Sequence, residues 1–536
     1  MIKAADYIVV GAGSAGCVLA NRLSENRDVR VVLIEAGGKD RSPNIKIPAA
    51  FPEQFHTKLD WDYYTEPEPH CDGRRLYVPR GKSLGGSSSM NAMLYVRGRP
   101  LDYDLWEQAG ASGWGWDNVL EYFLKAENDE RGASEHHGIG GPCNIQEPAD
   151  PRPINADLIR AANAVGIPDA QDYNSPEQDG VSMVQTFQKR GRRWSCADAY
   201  LRPAMGRDNL EVVTLAQVEG LEFDGDRCTG VRFRRRGRSQ TLRAYREVIV
   251  AAGAINSPQV LMLSGIGPAD QLREHGVEVR HDLPGVGRNL QDHPFLTMMW
   301  ETTDTNTLYG AEAPKYLLQW LATRRGPLTS TAAESMAFVR TRPGLPAADV
   351  QFHMGPLYFE KHGAEEYDGN CYVIAPTLLT PKARGSVTLR SGDPSAKPRI
   401  VTNSLSEPED VASLVAGIRL AREMAASEPL RSKTIKAILP ADDVFAAGSD
   451  EDIVEHLRSR VELVYHPVGT CRMGTDDDAV VDPELRVRGI DGLRVVDASV
   501  MPLIPGGNTN APTIMIAERA ADLIKGRVGG RGLIPA

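Results

Sequence analysis

Three glycines near the start of the sequence have the spacing of a phosphate-binding turn. Gly11, Gly13 and Gly16 follow an apolar run and precede apolar residues at helical spacing. A second apolar run, 29–34, leads into Glu35, 19 residues after Gly16. Dinucleotides are bound by a unit with a fixed order of elements: a strand, a glycine turn, a helix, a second strand and an acidic residue about 20 residues after the turn. We therefore predict a dinucleotide site in this segment.

Each residue type in this turn has a physical role. Gly11 permits a sharp turn, Gly13 lets backbone N–H groups approach a pyrophosphate, and Gly16 lets the helix pack closely on the strand. The N-terminus of the helix carries partial positive charge that stabilises phosphate, and Glu35 accepts hydrogen bonds from ribose hydroxyls. The predicted contacts of this unit are Gly11, Gly13, Ser14, Ala15, Gly16, Glu35 and Ala36.

The glycine turn alone does not choose between NAD and FAD. Two features favour FAD: the motif lies at the start of the chain, and the chain has no second fingerprint of comparable quality. Residues 285–290 lack the third glycine and follow no clear strand-to-helix transition, so that segment is expected to be a surface turn.

Composition excludes several classes of protein. Of the 536 residues, 41% are hydrophobic and 25% charged, as in ordinary globular proteins. A net charge of −10 argues against nucleic-acid binding, and the basic run 232–238 is expected to be a solvated hairpin face. Seven cysteines are too few for a disulfide framework. No apolar run is long enough to span a membrane and no signal peptide is evident, so we predict a cytoplasmic protein without a transmembrane segment.

Four separated motifs together span nearly the whole chain. They are the glycine turn with residues 35–37, the Gly/Ser-rich segment 79–93, the segment 253–267, and the C-terminal group 465–471, 497–499 and 505–510. With these four motifs in this order, the sequence resembles the glucose–methanol–choline (GMC) oxidoreductases, which are FAD-dependent enzymes that oxidise alcohols. The likeness is greatest to bacterial choline-dehydrogenase-like and alcohol-dehydrogenase-like members.

The resemblance implies further cofactor contacts. It places Ala252 and Gly253 near the pyrophosphate and the backbone of Val218 near adenine. The remaining implied contacts are Gly86, Asn91, Ala92, Met93, Asp497, Ala498, Asn508 and Thr509. Some members attach FAD covalently through a histidine at the position of Met90. Because a thioether cannot form that bond in the same way, we expect non-covalent FAD.

The resemblance also identifies catalytic residues. Alcohol oxidation needs a base for the hydroxyl proton, and His466, among 11 histidines, matches the catalytic histidine of the family. Asn510 matches the second active-site position, where an amide can donate to an alkoxide-like oxygen. Asn508, two residues away, is assigned to the flavin side. No histidine, cysteine or acidic cluster has the spacing of a metal site, so no metal is predicted.

The expected fold class is α/β, or α+β when the chain is taken as a whole. The resemblance implies a Rossmann-like FAD-binding domain formed by residues 1–154, 206–294 and 466–536. Residues 155–205 and 295–465 would form a substrate-binding domain on a mostly antiparallel sheet flanked by helices.

The leading functional hypothesis is FAD-dependent oxidation of an alcohol, with a neutral primary alcohol mildly favoured by Phe352, Tyr358, Phe359 and Tyr465. The electron acceptor would be oxygen, a quinone or another carrier. The alternative hypothesis is an enzyme of the same fold with other chemistry, either a flavin photodecarboxylase or a hydroxynitrile lyase. A third hypothesis is a non-catalytic FAD-binding protein. Against a photodecarboxylase, Pro376 lies near the position of its cysteine, and a catalytic histidine is present.

Overall fold

The first sheet joins chain segments that lie far apart in the sequence. The computed structural model describes residues 3–441 and 449–527, and within them this sheet has seven strands. The β-branched runs Ala4–Val10 and Val31–Ile34 are largely buried, as expected of parallel strands covered on both faces. Its strands are Ala4–Val10, Val31–Ile34, Leu210–Val213, Ala216–Asp224, Arg227–Arg235, Arg238–Val250 and Leu493–Val495.

The parallel strands of the first sheet end level with one another. Val10 is the register partner of both Ile34 and Val250. Val213 pairs with Ile34, and Val495 pairs with Val250. Since the carboxyl ends of five strands meet at one edge, the segments that follow them also meet there. These segments contain Gly11, Glu35, Ala216, Gly253 and Asp497.

In the second sheet, neighbouring strands of the described residues pair antiparallel. The long helix Pro408–Ala425 packs on one of its central strands, Cys371–Leu378. Its strands are Gly180–Met183, Pro294–Phe295, Met298–Thr302, Ser335–Val339, Val350–Gly355, Cys371–Leu378, Thr434–Leu439 and Glu462–Leu463.

Helices cover the sheets. The helix Ser14–Leu23 packs against Asn510–Ile524, which also contacts Trp116–Ala126. The other helices are Pro43–Lys46, Pro100–Gln108, Ile154–Ala164, Arg202–Ala204, Gly253–Leu263, Ala269–Glu274, Pro314–Thr323 and Asp450–Arg460.

Short strands complete the fold in pairs or threes. They are Tyr63–Tyr64 with Tyr77–Val78, Glu127–Asp129 with Cys143–Ile145, Gln188–Lys189 with Arg192–Arg193, Ile266–Gly267 with His281–Asp282, and Arg288–Leu290 with Gly385–Thr388 and Arg399–Val401.

The predicted fold class is confirmed. The division into two domains at the stated boundaries stays a prediction, and the strand Pro294–Phe295 crosses one of those boundaries. Leu210–Val213 and Ala216–Asp224 are separate strands, because the backbone turns between them at Leu215, which has a φ of +56°. The basic run 232–238 lies on the hairpin of Arg227–Arg235 and Arg238–Val250, as expected.

All seven cysteines are free and buried. Among residues 3–441 and 449–527, none of the helices combines the length and the apolar character that crossing a bilayer requires.

Gly16 determines how closely the helix Ser14–Leu23 approaches the preceding turn. A Cβ atom built on Gly16 would lie 1.8 Å from the carbonyl oxygen of Gly11 and 3.5 Å from Val9 Cγ1. A backbone oxygen cannot move aside as a flexible side chain does. Any larger residue would therefore push the helix away from the turn.

We predict that Gly16→Ala destabilises the protein by about 1–3 kcal/mol, the usual cost of overpacking a well-packed core. The measurement is the thermal denaturation midpoint of the protein. Gly206→Ala is the matched control, because a Cβ there meets nothing within 4 Å. Equal midpoints for the two variants would contradict the close packing of helix and turn.

Candidate active site

The carboxyl edge of the first sheet faces a large cavity. The cavity has about 2200 Å³ of space free of protein atoms, including its opening to solvent. Every predicted site residue except Gly16 lines it, namely Gly11, Gly13, Ser14, Ala15, Glu35, Ala36, Gly86, Asn91, Ala92, Met93, Val218, Ala252, Gly253, His466, Asp497, Ala498, Asn508, Thr509 and Asn510. Gly16 instead packs beneath the turn.

The glycine turn leaves room for a ligand. Gly13 has an ordinary φ of −72°, and a Cβ built on it would meet no protein atom within 4 Å. Neither backbone strain nor crowding by the chain therefore requires glycine at this position. Gly13 also caps the helix Ser14–Leu23 without a side chain, so the first N–H groups of the helix remain available to an anion. This cradle fits a pyrophosphate.

Glu35 is held in place by backbone donors. Its Oε2 accepts from the N–H of Ala12 at 2.8 Å, and its Oε1 accepts from the N–H of Gly37 at 2.7 Å. Burial raises the pKa of Glu35, and these two hydrogen bonds oppose that rise. Each carboxylate oxygen has a further lone pair, so Glu35 can still accept from a ribose hydroxyl.

Asp497 ties together two strand ends at the same edge. Its Oδ2 accepts from the N–H of Gly253 at 2.9 Å and from the hydroxyl of Ser257 at 2.6 Å. Its Oδ1 accepts from the N–H of Ser499 at 2.8 Å. Asp497 therefore holds the segment after Arg238–Val250 beside the C-terminal segment of the chain.

The Gly/Ser-rich segment passes close to the glycine turn. A Cβ on Gly86 would lie 2.7 Å from Cα of Gly13, so the two backbones are in contact. Asn91 Oδ1 accepts from Arg193 Nη1 at 2.8 Å and from the N–H of Met93 at 3.1 Å. Met90 lies on the cavity wall and is buried. These contacts position one wall of the cavity for a flat ring system.

His466 belongs to a chain of hydrogen bonds that determines its tautomer. Burial lowers the pKa of His293 to about 3, so this side chain is neutral. Its Nε2 lies 3.1 Å from the carbonyl oxygen of Leu379, which only accepts, so Nε2 carries the proton. Nδ1 of His293 then accepts from Nδ1 of His466 at 3.0 Å. The unprotonated nitrogen of His466 is therefore Nε2.

The electrostatic surroundings keep His466 in its basic form. Burial lowers its pKa well below the ordinary value, and His293, His353 and Arg80 lower it further. His466 is therefore neutral near pH 7 and able to accept a proton. Its backbone N–H donates to Asp292 Oδ1 at 2.7 Å, and burial raises the pKa of that carboxyl group to about 7.

The two asparagines near His466 make different contacts. Asn508 Nδ2 donates to His466 Nε2 at 3.1 Å. Asn510 Oδ1 accepts from the hydroxyl of Ser14 at 2.6 Å, at the glycine turn. Asn508, which the resemblance assigned to the flavin side, is thus the amide in direct contact with the predicted base.

The end of the cavity near His466 is apolar. Phe359 and Tyr465 line it, as expected, but Phe352 and Tyr358 do not. Phe352 lies next to His353 on the strand Val350–Gly355, and successive side chains of a strand point to opposite faces. His353 therefore faces the cavity while Phe352 enters the core. The other apolar residues here include Phe51, Phe55, Phe295, Leu357, Val373 and Val464.

His353 carries a free ring nitrogen on the cavity wall. Its Nδ1 lies 3.0 Å from Thr377 Oγ1, while its buried Nε2 has no partner among the described residues. Burial lowers its pKa to about 4, so it is neutral. An unpaired polar atom in a buried wall can be satisfied by a polar group of a ligand.

Sequence reasoning missed His293, Asp292 and His353. His293 and Asp292 lie in the polar run 291–293, directly before the mostly apolar stretch 294–300, and a polar run at that place in the sequence could have indicated them. His353 is one of two polar residues, the other being Gln351, in the buried strand Val350–Gly355. Nothing else in the sequence around His353 indicates that this residue faces the cavity.

Known proteins share this whole architecture. The N-terminal and C-terminal models of the GMC oxidoreductase family match residues 5–295 and 381–517. The chain is 43% identical over 532 residues to the protein named alcohol dehydrogenase (acceptor) of Pseudomonas putida, covering 98% of this chain and 96% of that one. It is 42% identical over 531 residues to the oxygen-dependent choline dehydrogenase of Rhizobium etli, covering 98% and 96%.

A solved structure supports the same assignment. Formate oxidase of Aspergillus oryzae, determined in a study of FAD modification, superposes with a TM-score of 0.92 at 28% identity, covering 98% of this chain and 99% of that one. The family models and the relatives cover most of the chain, and the cavity has a cradle that fits a dinucleotide. The chain belongs to the GMC oxidoreductase family and is an FAD-dependent oxidoreductase acting on CH–OH groups.

Proposed function

We propose that this enzyme oxidises a neutral primary alcohol to the aldehyde, with Nε2 of His466 accepting the hydroxyl proton. The hydrogen-bond chain from Leu379 through His293 to His466 carries this proposal. It leaves the lone pair of Nε2, rather than that of Nδ1, for a ligand in the cavity.

FAD, when bound, supplies the acceptor for the hydride that leaves the substrate carbon. The residues that would hold it are those of the glycine turn, Glu35, and the segment from Gly86 to Met93. We propose that it binds non-covalently, because Met90 occupies the position at which some family members have a histidine. The thioether of Met90 supports this proposal, since it lacks the ring nitrogen used for that bond.

The neighbours of His466 can position the alcohol. Asn508 donates to His466 Nε2, so its amide lies beside the position that the substrate oxygen must reach. When the hydroxyl of the alcohol replaces the Asn508 amide as the partner of His466 Nε2, that amide can donate to the substrate oxygen instead. The hydrogen bond then stabilises the negative charge that develops on the oxygen. We propose that Asn508 has this role and that Asn510 acts mainly through Ser14 on the cofactor turn.

His353 offers a second polar contact. Thr377 Oγ1 lies 3.0 Å from Nδ1 of His353 and 3.5 Å from the carbonyl oxygen of Ala375, and when its hydroxyl donates to the nearer Nδ1, Nε2 of His353 carries the proton. It can then donate to the substrate oxygen beside His466. His353 and Asn508 would thus hold the oxygen while its proton passes to Nε2 of His466.

The charges of the cavity disfavour a cationic substrate, because Arg80 lines the wall and is close enough to lower the pKa of His466. Glu35 and Asp497 are the carboxylates among the described lining residues, and both bind backbone N–H groups at the dinucleotide end. The wall near His466 is formed by aromatic and aliphatic side chains. A quaternary ammonium ion would therefore meet aromatic rings there but no carboxylate, whereas an alkyl or aryl chain would be well accommodated.

We predict that His466→Ala slows flavin reduction by alcohol about 10²–10⁴-fold, the usual contribution of a general base. FAD should remain bound, because the contacts of the cradle lie elsewhere. The measurements are anaerobic stopped-flow reduction and the amount of FAD released by acid precipitation. Acid release also tests non-covalent attachment.

His70→Ala is the matched control for that variant, because His70 is exposed and lies outside the cavity lining. It should reduce its flavin at the wild-type rate. A His466→Ala enzyme that retains FAD and is reduced as fast as wild type would exclude His466 as the base.

We predict that Asn508→Ala lowers the limiting rate of flavin reduction more than Asn510→Ala does. Loss of a donor to the developing charge costs about 10²–10³-fold in rate. Asn510→Ala should instead weaken FAD binding, since Asn510 contacts Ser14 at the glycine turn. Reduction kinetics and FAD titration of each apoprotein separate the two roles. The reverse pattern would return the catalytic role to Asn510.

The substrate class is tested by anaerobic reduction with a panel of alcohols. We predict that straight-chain and benzylic primary alcohols bleach the flavin, and that choline does so at least about tenfold less efficiently, for want of a carboxylate partner. Readmitting air then distinguishes an oxidase, which reoxidises rapidly with peroxide, from a dehydrogenase. Efficient reduction by choline would overturn the neutral-substrate assignment, and no reduction by any alcohol would favour a lyase.

A further inference from the structure

The helix Pro314–Thr323 presents an apolar face that nothing in the described part of the chain covers. Leu317, Leu318 and Leu321 are 42%, 67% and 54% exposed. Trp320 is the buried residue of this helix and anchors it, since its Nε1 donates to the carbonyl oxygen of Gly191 at 2.9 Å. Three leucines within two helical turns form a contiguous exposed patch, unlike single apolar residues scattered over a surface.

Basic residues lie beside this apolar face. Gly191 is at the tip of the hairpin formed by Gln188–Lys189 and Arg192–Arg193, and a Cβ there would lie 2.1 Å from the carbonyl oxygen of Arg324. The hairpin tip therefore touches the C-terminal end of the helix. Together they bring five cations into one region: Lys189, Arg190, Arg192, Arg324 and Arg325.

These cations lack acidic partners. Within residues 3–441 and 449–527, none of the five forms a salt bridge, and Arg192 and Arg324 repel each other. Four of them are exposed, while Arg324 lies over the Trp320 ring at 4.0 Å from its centroid. In a chain with a net charge of −10, an unpaired basic cluster is a local reversal of sign.

We propose that this helix and hairpin form a docking surface for a membrane that contains anionic lipids. The three leucines would enter the boundary between headgroups and acyl chains, and the five cations would contact the headgroup phosphates. An exposed apolar helical face beside unpaired cations is the pattern of helices that lie in a membrane interface. We call the helix Pro314–Thr323 the docking helix.

A second copy of this chain fits the surface less well. A symmetric dimer through the docking helix would bring two clusters of five cations together, and like charges at an interface oppose association. An anionic lipid surface complements both the apolar and the charged parts of the patch.

The docking helix is connected along the chain to two segments of the cavity wall. Residues 331–333 follow it closely in the chain and line the cavity, and Leu308, just before it, donates its N–H to the carbonyl oxygen of Pro356, next to Leu357.

The test is flotation of the holoenzyme with vesicles. Wild type should float with vesicles of phosphatidylcholine and phosphatidylglycerol, less so as salt rises, and much less with phosphatidylcholine alone. The triple variant Leu317→Gln, Leu318→Gln, Leu321→Gln should weaken binding at least about tenfold, because it removes the apolar contact. Arg192→Gln with Arg325→Gln should weaken it about fivefold per cation at low salt.

The control variant carries Leu105→Gln, Ile139→Gln and Ile435→Gln, three exposed apolar residues outside the patch. It should bind vesicles like wild type, and all variants should keep the wild-type flavin spectrum and reduction rate. No flotation of wild type with the anionic vesicles, or equal flotation of the leucine variant, would overturn the proposal. A leucine variant that changes only the oligomeric state, seen by light scattering, would assign the patch to a second copy instead.

Discussion

Val10, Ile34 and Val250 are register partners in the first sheet, and the site depends on that alignment. Because parallel strands that start far apart in the chain end level with one another, the loops after them share one edge. The glycine turn, Glu35 and Asp497 can then face a single extended ligand. Close backbone contacts, such as that between Gly13 and Gly86, bring the loops nearer than side chains would permit.

The proposed base, His466, lies in the segment that follows Glu462–Leu463, a strand of the second sheet. The segment that carries His466 pairs with the segment before the second sheet, through mutual hydrogen bonds of Gln291 and Val468. This pairing brings His293 against His466 and fixes which ring nitrogen is free. The second sheet supplies His353 to the cavity, while the first supplies the cofactor cradle. The residues proposed for proton transfer and those of the cofactor cradle thus come from different parts of the fold.

Charge is used differently in different parts of the molecule. Glu35 and Asp497 are buried, and each organises a loop by accepting backbone hydrogen bonds, so neither is free to bind a cation near His466. The cavity near His466 is therefore lined mostly by apolar side chains, with Arg80 as the charged group close enough to lower the pKa of His466. Unpaired positive charge collects instead at the hairpin tip around Gly191, on the outer surface.

Much of this protein is determined by local sequence. Apolar runs and the glycine spacing predict the first strands and the dinucleotide turn, because such patterns act within about thirty residues of chain. The family motifs add the other segments that line the cavity. What only the tertiary structure decided is which side chains touch: that Asn508 contacts His466, that His293 sets its tautomer, and that His353 rather than Phe352 faces the cavity. These outcomes depend on sheet register and on contacts between distant segments, whose geometry no local pattern encodes.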